Sequence, residues 1–134
     1  MPRLEHQNSH YEEESISRIN CILSGVLMAY AISLVVFLVT ALLLSIANIS
    51  EVIVPHLTYV TSVLSIIVGA IYTSRIFGQQ GWLNGGLCGI LYFLGLLILS
   101  IVIGVELAGS GVILSRGALA FIFGAVGGVI GINV

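Results

Sequence analysis

Four long apolar stretches, at about residues 20–46, 54–77, 82–103 and 112–132, take up most of this chain. About 20 predominantly apolar residues suffice to cross the hydrocarbon core of a bilayer, so each stretch is long enough to span it. No aspartate, glutamate or lysine lies inside any of them. The chain as a whole is 58% hydrophobic and only 7% charged, with a mean hydropathy of +1.17. A soluble domain carries about a quarter of its residues as charges, and a small one leaves much of its surface in water. The bilayer is therefore the solvent this composition suits.

The links between stretches are short: Asn48 to Glu51, Gly78 to Gly81 and Glu106 to Gly111. Short links make consecutive helices antiparallel neighbours, and the expected fold is an all-α, up-down-up-down bundle of four transmembrane helices. Pro55 falls in the first turn of the second helix, where a missing N–H costs little. The organisation expected is a polar, acidic tail over 1–18 and a single membrane domain over 19–134. Within the tail, Ser9 followed by Glu12 fits a capping box. A helix starting there is one expectation for the tail, and no regular structure is the other. Ser45-Ile46-Ala47 loosely matches a signal-peptidase site, but the stretch before it is too long and its leader too acidic for a signal peptide. Asn48-Ile49-Ser50 matches a glycosylation acceptor placed almost at the bilayer surface.

Orientation rests on arginine, because the chain has no lysine. Arg3, Arg18 and Arg75 fall on one side, and Arg116 alone falls on the other. Positive residues favour the cytoplasmic side, so both termini are expected in the cytoplasm of a cell that keeps this protein in its plasma membrane.

Of the sixteen glycines, thirteen lie from Gly81 onward. Gly81, Gly85 and Gly89 recur every fourth residue on one face of the third helix. On the fourth, Gly124 and Gly128 form one small-xxx-small pair, and Gly127 and Gly131 another. Weaker versions are Gly25, Ala29 and Ser33 on the first helix, and Thr61, Ser65, Gly69 and Thr73 on the second. Lipid tails are as apolar as leucine, so helices associate in membranes largely by close packing through such small residues. These faces pack the four helices together, and any face left over is available to a second copy or to another membrane protein.

Trp82 and Tyr72 flank the second link and suit the aromatic belt at a membrane interface. Asn84, one turn into the third helix, is placed to hydrogen-bond across helices or to line a small polar opening. Glu106 and Arg116 bracket the third link, where Arg116 either snorkels to the interface or pairs with Glu106 to clamp the last two helices. Cys21 and Cys88 lie in apolar stretches without metal or redox spacing, and His6 and His10 lack a third ligand, so neither metal nor cofactor is expected. The weak net charge of −2 gives no basis for nucleic-acid binding.

No phosphate-binding loop, zinc-protease motif, nucleophile elbow or carboxylate pair occurs, and no aspartate, glutamate, lysine or histidine sits mid-span to serve as a general base or proton relay. A non-enzymatic protein is expected.

The segment Gly81-Trp82-Leu83-Asn84-Gly85-Gly86-Leu87-Cys88-Gly89-Ile90-Leu91-Tyr92 resembles the opening of the third helix in the YrzE-like family of small four-helix membrane proteins of Gram-positive bacteria. That family has a similar G-W-x-x-G-x-x-x-G-x-x-Y pattern after a short polar link. Chain length, span number and the glycine-rich last helix agree with it over most of 20–132, and the acidic tail falls outside it. The resemblance implies topology and carries no activity. The expected role is a packing or assembly component in a homo-oligomer or membrane complex. The rivals are a channel or transporter subunit lined by Asn84, Ser62, Ser65 and Thr73, and a regulator acting through the tail.

Overall fold

A computed structural model describes residues 2–47, 51–106 and 109–134. The described chain is four helices: α1 (Pro2–Ala47), α2 (Val54–Phe77), α3 (Gly81–Ile103) and α4 (Ser110–Asn133), with one 3-10 turn (Glu51–Ile53) ahead of α2. All four are long and apolar enough to cross a membrane. The helices of 23 or 24 residues measure roughly 35 Å, a little more than the hydrocarbon thickness. The glycosylation triplet Asn48-Ile49-Ser50 lies outside the described residues.

The polar tail is not a separate segment. Helix begins at Pro2, well before the Ser9–Glu12 box, and runs without a break into the first span, 46 residues in all. Arg18 lies level with the second link, so residues 2–17 carry α1 roughly 24 Å beyond the bundle. The sequence signal for a start at Ser9 was local, whereas a helix already nucleated by a long apolar span extends at low cost.

Consecutive helices are antiparallel, as the short links require. The arrangement is not a simple square, however. α2 and α3 form the centre, α1 lies against both on one side, and α4 lies against both on the other. α4 therefore meets α2 in parallel instead of closing the ring against α1.

Burial is concentrated toward one end of the bundle. The buried positions run from Ile22 to Ser33 on α1, Thr61 to Ser74 on α2, Gly81 to Tyr92 on α3 and Ala120 to Gly131 on α4. Most of these lie toward the end that carries the second link, called here the closed end; Thr61 on α2 reaches furthest toward the other end. Beyond Ser33, Thr61, Tyr92 and Ala120, toward the opposite, open end, no described residue is buried. Small residues explain the difference: glycine, alanine and serine let backbones touch at the closed end, while phenylalanine and leucine hold the helices apart at the other. The outer surfaces are leucine, isoleucine and valine, such as Leu23, Leu38, Ile98 and Leu114, as lipid contact demands.

Candidate functional site

The seven glycines singled out on α3 and α4 are all buried at helix crossings within the chain. They serve two different interfaces. Gly81, Gly85 and Gly89 face Gly128, Gly124 and Ala120, so that α3 and α4 meet backbone to backbone; any Cβ added there would strike a main-chain oxygen of the other helix. Gly127 and Gly131 face α2 instead, where a Cβ would come within 2.7 Å of the Ile67 oxygen and 2.6 Å of the Ile71 oxygen. The offset of three residues between the two pairs on α4 is thus the angle between its two neighbours. On the other side, Gly25 and Ala29 of α1 sit against Gly69 and Thr73 of α2. Gly111 has open space around it, and Gly117 only an ordinary contact with the Phe93 ring at 3.4 Å.

The second link is tied down by side chains from three helices. Gly78 ends α2 at φ 70°, and its N–H donates to the Ser74 carbonyl. Ser74 Oγ donates to the Gly81 carbonyl at 3.0 Å, and Asn84 Nδ2 donates to the Gln79 carbonyl at 2.8 Å. Gln80 is the one described non-glycine residue at positive φ, 45°. A left-handed residue with a Cβ costs roughly 1–2 kcal/mol, so these bonds hold a turn that does not form for free. Arg18 of α1 donates from Nη2 to Gln80 Oε1 at 3.1 Å and stacks over Phe77, 5.1 Å from its centroid. Asn84, fully buried, therefore fastens the link instead of lining an opening. Asn84→Ala is expected to lower the bundle's thermal stability by about 1–2 kcal/mol, measured by unfolding in detergent. Trp82 is 53% exposed beside this link, where an interfacial aromatic belongs.

Tyr92, 1% exposed, is the largest fully buried side chain. Its ring packs on Tyr30 of α1 with centroids 4.8 Å apart, and Tyr30 OH donates to the Tyr92 carbonyl at 2.8 Å. Gly95 provides the room for that hydroxyl. Tyr30→Phe is expected to cost about 0.6–1.7 kcal/mol in the same unfolding assay, the range of interhelical hydrogen bonds in membranes. Sequence reading picked out Tyr92 but missed Tyr30, Arg18 and Ser74. Their signal is long-range: nothing local says that Tyr30 lies beside a residue 62 positions away.

At the open end α2, α3 and α4 enclose a cavity of about 490 Å³ that stops at Ile66 and Tyr92. Glu106 and Arg116 line it, and both are exposed. The expected clamp between them is absent: among the described residues no ion pair joins the two. Of the four polar residues considered as a channel lining, only Ser62 lines this cavity. Ser65, Thr73 and Asn84 are fully buried in the closed half, with Thr73 Oγ1 donating to the Gly69 carbonyl at 3.0 Å. Among the described residues no group of histidine, cysteine or carboxylate side chains is placed to hold a metal, and both cysteines are free.

Four apolar helices of membrane-spanning length, closed by glycine contacts at one end, make this a multi-pass helical membrane protein. The chain belongs to the family described as "Protein of unknown function (DUF3792)", which it matches over residues 18–131. No curated protein and no solved structure matches it.

Proposed function

We propose that the chain is a non-enzymatic component of a membrane assembly, held in the plasma membrane with both termini in the cytoplasm. The observation that carries this reading is the projection of α1. A polar helix continues past the closed end, and Glu13 to Ser17 are all exposed on it. A helix that is polar all round is commonly one that bridges to another body or is laced by its own charges. The seven glycines of α3 and α4 are used inside the chain, so a homo-oligomer or a partner would meet the projecting helix or the leucine-rich outer faces. The YrzE-like resemblance and a Gram-positive source belong to the same proposal.

Deletion of residues 2–17 tests the reading. The bundle is expected to insert and fold as before, while chemical cross-linking in native membranes loses the partners captured by the full chain. An unchanged set of cross-linked partners would contradict it.

A channel or transporter subunit is the second reading, favoured by the open-end cavity. Conduction would require a second state, because the cavity ends where backbone contacts begin. Selective ion flux in liposomes would establish that reading over the first.

A further inference from the structure

We propose that the open-end cavity holds an acyl chain of a bilayer phospholipid whose headgroup carries both a phosphate and a primary ammonium, with Arg116 on the phosphate and Glu106 on the ammonium.

The cavity has the size and lining of a small-molecule site. At about 490 Å³ it falls in the range of roughly 300–1,000 Å³ usual for ligand pockets. Its walls are mostly apolar, including Val63, Ile66, Phe93, Leu96, Leu119 and Phe123. Two hydroxyls on its α2 wall are satisfied within their own helix: Thr58 donates to the Val54 carbonyl and Ser62 to the Thr58 carbonyl. At membrane depth the abundant apolar species is a lipid tail.

Charge selects the headgroup. One cation and one anion line the same cavity, both exposed, and among the described residues they are not paired with each other. Arginine is well matched to phosphate by its planar fork of donors. Were Arg116 there alone, any phospholipid would satisfy it, and an anionic one best. Glu106 reverses that order, repelling a net-negative headgroup and accepting hydrogen bonds from an ammonium. A primary ammonium donates three, and a quaternary one donates none. The complement of this pair is therefore a zwitterion with a primary amine. The inference stands independently of whether the chain assembles with partners.

The test uses the full chain purified in detergent and mixed with equal amounts of phosphatidylethanolamine, phosphatidylcholine and phosphatidylglycerol. Native mass spectrometry then counts the lipid retained. The wild type is expected to keep a single phospholipid, the ethanolamine form favoured about fivefold over each of the others, as one exposed ion pair would give. Glu106→Gln is expected to invert the order, with the glycerol form retained over the ethanolamine form. Arg116→Gln is expected to lower retention of all three. Ser62→Phe fills the cavity from α2 without touching the closed end, so it is expected to lose the retained lipid with unchanged thermal unfolding. Leu119→Trp serves the same purpose from α4 if that variant fails to fold. Equal retention of the three lipids, no retained lipid on the wild type, or a folded cavity-filled variant that keeps its lipid would each overturn the proposal.

Discussion

Gly128→Ala is expected to destabilise the bundle by about 2–3 kcal/mol, although a single methyl group is added to an apolar helix. The methyl would enter the space of the Gly81 carbonyl and come within 3.0 Å of the Gly85 Cα. Both are main chain on a facing helix, so no rotamer change relieves the contact. The helices must separate, and the closed end loses the contacts that define it. Gly117→Ala is the matched control on the same helix. Its Cβ would meet only the Phe93 ring at 3.4 Å, and alanine is the better helix former by about 0.8–1.0 kcal/mol. That variant is expected to be neutral or slightly stabilised. Unfolding of both in detergent, followed by circular dichroism, gives the comparison.

Gly25→Ala is expected to cost about 2 kcal/mol through the other interface, with its effect concentrated on α1. The added methyl would meet Thr73 Oγ1 and lie 2.7 Å from the Gly69 oxygen. Thr73 is itself held, since its hydroxyl donates to the Gly69 carbonyl. Thr73→Ala on top of Gly25→Ala is therefore expected to recover part of the loss, because it removes one of the two obstacles and leaves the backbone one. A double-mutant cycle measures this directly, and strict additivity of the two changes would show that Gly25 does not pack on Thr73. Among the described residues α1 packs chiefly on α2 and α3, so loosening it should leave the α3–α4 contact intact.

These two glycines differ in how much of their role the sequence revealed. Four spans, their links and their alternating direction follow from hydropathy and loop length, and the helices bear that out. The four-residue spacing of Gly81, Gly85 and Gly89 identifies a face, but spacing does not name the helix opposite. Gly124–Gly128 and Gly127–Gly131 read as two similar motifs, and only the packing assigns one to α3 and the other to α2. The closed and open ends were not visible at all. They arise because the small residues of four separate helices coincide at one depth, which is a property of the assembled register. Asn84 was legible as a hydrogen-bonding residue but its partner was not, since that partner is the Gln79 carbonyl in a link whose turn conformation no pattern specified. For Glu106 and Arg116 the sequence left open whether the arginine snorkels or pairs; both are exposed and line one cavity, and among the described residues no ion pair joins them.

The measurement that bears most directly on this account compares two pairs of spin labels across α3 and α4 in lipid nanodiscs. Leu87 and Val126 are exposed at the closed half, and Ile98 and Ser115 are exposed at the open half. The two pairs are displaced by three helical turns, so they report from the same faces of the same helices. The account predicts a short, narrow distance distribution for the first pair and a longer one for the second. Equal distances at the two levels would contradict it, because the bundle would then be uniformly packed, with neither a glycine-closed end nor an open cavity.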